Sequence, residues 1–135
     1  MNDLCGNLVV LCHLDDIPDG EARGFLPAPD ALRRIIIFRR GGHCRAFLDA
    51  CPHFRSGTPM SWRADAYMNS DRTHLVCFAH GALFDPWTGD CTDGPCLGRR
   101  LTMVPIRILH SGQICLQDPA QDGPGWLSHA PKIGQ

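Results

Sequence analysis

Two short motifs in the middle of the chain each place a cysteine close to a histidine: Cys51-Pro-His53 and Cys77-Phe-Ala-His80. A zinc finger normally groups its ligands as cysteine with cysteine and histidine with histidine. Mixed pairs suit a two-metal cluster better, because both thiolates can bind one metal while both imidazoles bind the other. Such a cluster requires two loops to converge on one point, so this pattern constrains the fold more than any other feature of the sequence.

The residues around the two motifs carry more weight than the spacings themselves. With eight cysteines and seven histidines in 135 residues, composition alone yields roughly 0.4 matches to each spacing. Both motifs follow short β-like runs, residues 46–48 and 74–76, and both are followed by turn residues. Loops rich in glycine and proline can direct backbone N–H groups toward the sulfur atoms of a cluster.

The segment from about residue 44 to residue 108 resembles a Rieske [2Fe–2S] domain. The features that match are a Cys-Pro-His motif, a Cys-x-x-His-Gly motif, a Thr-Gly-Asp turn, and a Gly-Pro dipeptide that resembles the loop shielding the cluster in this family (residues 51–53, 77–81, 88–90 and 94–95). The resemblance implies one Rieske-type [2Fe–2S] cluster per chain. It implies that Cys51 and Cys77 bind one iron and that His53 and His80 bind the other.

The expected fold is all-β. The resemblance implies antiparallel sheets, or a partly open barrel, with a small cluster-binding subdomain inserted between strands. We expect a single domain over residues 1–117, with the subdomain at about 48–98 and a tail rich in proline and glycine at 118–135. Strands are predicted at 8–12, 34–39, 44–48, 101–109 and 113–116, with a hairpin turn at Gly41-Gly42. Residues 54–76 are more numerous than in many family members, and 60–73 are expected to form a surface excursion with a short helical turn.

Composition excludes several classes of protein. Apolar residues make up 44% of the chain, which is enough for a core without disulfides. A formal net charge of −1 argues against nucleic acid as a partner. No secretory signal and no apolar run of membrane-spanning length is found, so we expect a cytoplasmic protein with no membrane partner.

Within the family, the sequence is more similar to the soluble ferredoxin-like branch than to the membrane-anchored respiratory one. Ser56 and Ala79 occupy the positions of two further cysteines that form a disulfide in the respiratory branch. Ala82 and Phe84 occupy the positions of its serine and tyrosine, whose hydroxyls donate hydrogen bonds to the cluster. We therefore expect a low reduction potential, near the lower end of the Rieske range at about −150 mV.

The function implied is electron transfer from a flavoprotein reductase to an oxygenase, or to another oxidoreductase. The free ring edges of His53 and His80 would form the exit for electrons and the centre of the docking surface. No catalytic residue is predicted, and the chain is expected to be an electron-carrier component rather than a self-contained enzyme.

Two other functions stay open. One is a small Rieske-type subunit of a multi-subunit oxidoreductase, similar to the nitrite reductase small subunit or associated with a dioxygenase. The other is a structural zinc module. The remaining cysteines are expected to be inert packing (Cys5, Cys12, Cys44, Cys91, Cys96 and Cys115). Cys96 is the one to watch, because it follows the Gly94-Pro95 loop that should cover the cluster.

Overall fold

The computed structural model describes residues 9–52, 59–61, 66–78 and 81–117. These residues form nine β-strands and one short 3-10 helix, at Leu14–Asp16. The strands are β1 (Val10–His13), β2 (Ala22–Phe25), β3 (Ile35–Arg40), β4 (His43–Leu48), β5 (Leu75–Cys77), β6 (Ala82–Phe84), β7 (Cys91–Asp93), β8 (Ile106–Ile108) and β9 (Gln113–Leu116). They pair antiparallel in three sheets of three strands, in the orders β1-β9-β8, β2-β3-β4 and β5-β6-β7.

The hairpin of β3 and β4 is the centre of the fold. Its strands pair from Ile35 with Leu48 to Arg40 with His43, which leaves Gly41 and Gly42 as a two-residue turn. Gly41 has a φ of 64°, the positive value that tight hairpin turns require. The hairpin predicted from Gly41-Gly42 is therefore confirmed.

Strand β3 is buried on both faces, because a layer packs against each side of its sheet. Ile36 and Phe38 point into a core shared with β5, β6 and β7, which we call the inner core. Ile35 and Ile37 point into a second core shared with β9, which we call the outer core. Side chains alternate between faces along a strand, so four consecutive apolar residues can supply both cores.

The edge of β4 is covered by residues 102–104. Leu48 donates a backbone hydrogen bond to Thr102, and Val104 donates one to Ala46. Met103 forms an isolated bridge with Phe47. The continuous strand predicted at 101–109 is therefore wrong in extent, because pairing with β4 ends before Pro105, and β8 begins after it and pairs with β9.

The all-β prediction is confirmed. Strand β2 was missed, because no strand was predicted between residues 12 and 34. The surface excursion predicted at 60–73 is wrong for two residues, because Met60 and Tyr67 are 0% and 1% exposed and belong to the inner core. The predicted helical turn does not occur in the described part of that segment, residues 60–61 and 66–73. Residues 62–65, and the predicted tail at 118–135, lie outside the described residues.

Sheet β5-β6-β7 lies in the sequence between β4 and β8 and provides one wall of the inner core. The division into a domain and an inserted subdomain stays a prediction. Across the described ranges, no helix is long and apolar enough to cross a lipid bilayer.

Candidate metal centre

The two cysteines of the mixed motifs are both buried in the inner core. Cys51 follows the end of β4 by three residues, and Cys77 is the last residue of β5. Each is 0% exposed. Cys77 pairs with Ala82 across the turn to β6, and the Gly81 amide donates a 2.7 Å hydrogen bond to the Cys77 carbonyl. The two loops that the sequence predicts to converge therefore carry their thiols into one core.

A third cysteine lies close to the first of these thiols. The sulfur of Cys96 is 3.8 Å from the sulfur of Cys51, and Cys96 is also 0% exposed. Burial raises the pKa of the Cys96 thiol, and the nearby sulfurs of Cys91 and Cys77 add to the rise, against the hydrogen bond with Cys51. Four cysteines thus belong to the inner core: Cys51, Cys77, Cys91 and Cys96.

The segment 94–99 is attached to both cysteine loops. A Cβ atom on Gly94 would lie 2.8 Å from the Cα of Ala82, so the two backbones are in direct contact. On the other side, the Arg99 guanidinium donates a 2.7 Å hydrogen bond to the carbonyl of Pro52. The segment 94–99 therefore contacts a neighbour of the first cysteine and the strand that follows the second. Its role as a shielding loop stays a prediction.

A buried carboxylate also links the two loops. Asp49, 4% exposed, accepts hydrogen bonds from the backbone amide of Met60 at 2.7 Å and from the hydroxyl of Tyr67 at 3.1 Å. The Met60 carbonyl in turn accepts from the amide of Phe78, the residue after Cys77. Burial raises the pKa of Asp49, and these two hydrogen bonds oppose the rise. Sequence analysis missed this residue, although an isolated acid between the apolar end of β4 and a ligand motif was a visible signal.

The two histidines of the motifs, His53 and His80, lie outside the described residues, as do Ser56 and Ala79. In the part of the chain that is described, no group of three or more His, Cys, Asp or Glu side chains is positioned to hold a metal ion. The described donors are two buried thiols on adjacent loops. That donor set fits one half of a cluster with mixed ligands, in which the imidazoles would complete the other half.

The remaining cysteines differ in their surroundings. Burial raises the pKa of Cys12 to about 12 and that of Cys44 to about 11, so both remain neutral thiols at physiological pH, as expected for inert packing. Cys91 donates a hydrogen bond from its sulfur to the Asp93 carbonyl at 3.3 Å. Cys115 is disulfide-bonded, which the expectation of inert packing did not foresee.

Trp87 packs against the inner core and against the sheet of β2, β3 and β4. Its ring makes an edge-to-face contact with Phe38, with centroids 6.2 Å apart. The guanidinium groups of Arg45 and Arg40 lie 3.9 Å and 4.7 Å from its centroid. Its described ring and cation contacts are thus with β3 and β4, a packing role.

A sequence model described as the Rieske [2Fe–2S] domain matches residues 7–112 of the chain, most of its length. The chain belongs to the Rieske [2Fe–2S] domain family. The match includes both mixed motifs and the Gly94-Pro95 loop. The cofactor of this Rieske domain is accordingly a Rieske [2Fe–2S] cluster, and the buried pair Cys51 and Cys77 fits its thiolate half.

Solved structures share the fold of this Rieske domain at low sequence identity. A ferredoxin from Sphingomonas yanoikuyae B1 has 22% identity and a TM-score of 0.62, over 84% of this chain and 100% of that one. The ferredoxin of carbazole 1,9a-dioxygenase from Nocardioides aromaticivorans IC177 has 18% identity and a TM-score of 0.61, over 81% and 95%. No curated protein sequence matches the chain.

The same fold also matches part of a larger protein. The terminal oxygenase of carbazole 1,9a-dioxygenase from Novosphingobium sp. KA1 has 17% identity and a TM-score of 0.60. That match covers 81% of this Rieske domain but only 29% of the oxygenase chain. The match thus spans nearly the full length of the two ferredoxins, whereas in the oxygenase it spans only one part of a longer chain.

Proposed function

We propose that this Rieske domain is a one-electron carrier that accepts electrons from a flavoprotein reductase and delivers them to an oxygenase. The observation that carries the proposal is the burial of Cys51 and Cys77 in one core, within a chain that belongs to this family. The ferredoxins with the same fold support it, since one is described as the ferredoxin of a dioxygenase and another occurs in a complex with its oxygenase.

The proposed ligands are Cys51 and Cys77 for the buried iron and His53 and His80 for the outer iron. When bound, the cluster supplies a site that accepts and releases a single electron. The chain's own residues hold the thiols out of water and keep the loops in register. Asp49 and the Met60–Phe78 hydrogen bond do so from one side, and segment 94–99 does so from the other.

The low potential follows from the absence of hydroxyl donors at two positions. Ala82 and Phe84 are both 0% exposed and lie in the inner core, on the strand that leaves the second motif. Neither side chain can donate a hydrogen bond to the cluster. Hydrogen bonds to the sulfurs are one of the factors that set the potential of such clusters, so we place this one near the lower end of the Rieske range, about −150 mV.

The proposed docking surface surrounds His53 and His80. Two large apolar side chains are exposed beside the buried cysteines: Phe78, which follows Cys77, is 49% exposed, and Leu97, which follows Cys96, is 62% exposed. Exposed apolar side chains rimmed by polar ones are typical of protein interaction sites. Arg99 and Arg100 are exposed on the same segment as Leu97 and provide that polar rim.

The ligand assignment is tested by cofactor content. The purified chain should contain two irons and two acid-labile sulfides, absorb in the visible range, and give an electron paramagnetic resonance signal on reduction. The variants His53→Ala and His80→Ala should lose this signal, whereas His43→Ala and His110→Ala, at two exposed positions, should keep it. A colourless protein with one bound zinc would contradict the proposal.

The docking surface is tested by partner kinetics. Phe78→Ser and Leu97→Ser should slow electron transfer to an oxygenase component while leaving the reduction potential unchanged. Leu32→Ser is the matched control, because Leu32 is 57% exposed in the loop between β2 and β3. Equal rates for all three variants would contradict docking at this surface.

We also propose the cytoplasm as the compartment. Cys51, Cys77 and Cys96 share one core and form no disulfide, and a reducing compartment preserves such thiols until a cluster is inserted. The disulfide at Cys115 argues in the opposite direction, and an experiment decides between the two. Cell fractionation with an antibody against the chain would test this, and recovery in a secreted or membrane fraction would contradict it.

A further inference from the structure

We propose that Cys96 is a hydrogen-bond donor to the cluster ligand Cys51, and that it thereby raises the reduction potential of this Rieske domain above the value its other residues would set. The inference rests on the proposed function, because it assigns a role toward the bound cluster. Cys96 is neither one of the four ligands nor part of the Gly94-Pro95 feature by which the chain resembles the family.

The contact itself is the first observation. The sulfur atoms of Cys96 and Cys51 are 3.8 Å apart, within hydrogen-bonding range for sulfur, and both residues are fully buried. A thiol is a weak donor, and a metal-bound thiolate retains lone pairs that can accept. Because Cys51 carries no proton once it binds iron, a proton between these two sulfurs belongs to Cys96.

The second observation is that the backbone fixes Cys96 in this position. The Arg99 amide donates a 2.8 Å hydrogen bond to the Cys96 carbonyl, and Leu97 donates to Gly94 at 3.3 Å. The Arg99 side chain reaches Pro52, the residue after Cys51, and Gly94 rests on Ala82. The donor is therefore held against its acceptor by both neighbouring loops.

The direction of the effect follows from charge. Reduction adds one negative charge to the cluster and its sulfur ligands, so a hydrogen bond to the Cys51 sulfur becomes stronger in the reduced state. An interaction that is stronger in the reduced state favours reduction. Cys96 therefore raises the reduction potential, whereas the lack of hydroxyl donors at Ala82 and Phe84, near the other motif, lowers it.

The chain contains a matched control. Cys91 belongs to the same core as Cys96 and is 7% exposed, but its sulfur donates to the Asp93 carbonyl. Substitution of Cys91 removes a buried thiol of the same size without removing a donor from Cys51. It separates the hydrogen bond from the general effect of a thiol-sized cavity near the cluster.

The test is a redox titration of the holoprotein followed by its visible spectrum, with Cys96→Ala, Cys96→Ser and Cys91→Ala. Cys96→Ala should lower the equilibrium constant for reduction about threefold to tenfold, which corresponds to a fall of about 28 to 59 mV for one electron. Cys96→Ser keeps a donor at the same position and should hold the potential at or above the wild-type value. Cys91→Ala should stay within a twofold change. In the infrared difference spectrum between reduced and oxidised wild type, an S–H band should shift, and it should be absent from both Cys96 variants.

Several outcomes would overturn the inference. They are an unchanged or raised potential in Cys96→Ala, an equal fall in Cys91→Ala, and an equal fall in Cys96→Ser, which would indicate packing rather than hydrogen bonding. Loss of the cluster from both Cys96 variants would overturn it as well, since Cys96 would then be needed for cluster assembly. All of these differ from failure of the proposed function, in which the wild-type chain itself would carry no [2Fe–2S] cluster.

Discussion

Replacing Gly94 by alanine should loosen the loop that packs against the backbone of Ala82 in β6. Gly94 has a φ of 99°, and an added Cβ would lie 2.8 Å from the Cα of Ala82 and 3.3 Å from its amide nitrogen. Neither neighbour is a flexible side chain, so the loop must move away from β6. A positive φ in a non-glycine residue costs about 1–3 kcal/mol, and overpacking against backbone costs about 1–3 kcal/mol more.

Gly98 provides the matched control for this substitution. It lies in the same segment and has a φ of 91°, but no atom lies within 4 Å of where its Cβ would be. Gly98→Ala should therefore lose only the backbone contribution of about 1–3 kcal/mol. The difference between the two variants, about 1–3 kcal/mol, isolates the contact with Ala82.

The measurement is urea unfolding of the holoprotein, followed by circular dichroism and by visible absorbance of the cluster. Gly94→Ala should unfold at lower urea than Gly98→Ala and should release its cluster faster under mild chelation. Equal unfolding free energies for the two variants would refute the reasoning, because the contact between the loop and β6 would then contribute nothing.

Three further predictions concern other parts of the site and the fold. Asp49→Ala should reduce the unfolding free energy by about 2–4 kcal/mol, since it removes the acceptor for the buried Met60 amide and for Tyr67. In the same urea assay, Asp49→Asn should lose less than half of that free energy. Equal losses in the two variants would contradict the hydrogen-bonding role. Ala82→Ser should raise the reduction potential by up to about 59 mV, a tenfold change in the reduction equilibrium, and a redox titration showing no rise would count against the proposed cause of the low potential. Burial raises the pKa of Cys44 from its ordinary 9.0 to about 11, so the folded chain keeps this proton at a pH where the unfolded chain loses it. The stability linked to this thiol is fully present below pH 9 and is lost as the pH rises toward 11. Cys44→Ala should therefore flatten the fall of the unfolding free energy over that pH range. An unchanged slope in this variant would contradict the assigned role of Cys44.

The elements predicted correctly were those with strong local signals. The hairpin of β3 and β4 has a β-branched run, two glycines at its turn, and a second apolar run, all within 15 residues. The buried cysteines were found because the β-like runs before their motifs and the turn residues after them resemble a known family pattern. Both signals are contained in short stretches of sequence, so neither needs knowledge of the tertiary structure.

The elements missed depend on contacts between distant segments. Strand β2 contains Gly24 and a single aromatic residue, so its own propensity for β structure is weak. Its conformation is determined instead by its pairing with β3. Tyr67 looked like part of a surface excursion, but it packs on Gly24 and bonds Asp49. The 3.8 Å approach of Cys96 to Cys51 joins residues 45 positions apart, a proximity that no local pattern encodes.

The double burial of β3 determines how disturbances spread through this protein. Because Ile36 and Phe38 face the inner core while Ile35 and Ile37 face the outer core, the backbone amides of this strand should exchange with deuterium only when the whole molecule opens. Because this one strand contributes side chains to both cores, a substitution that disturbs one core should be transmitted to the other.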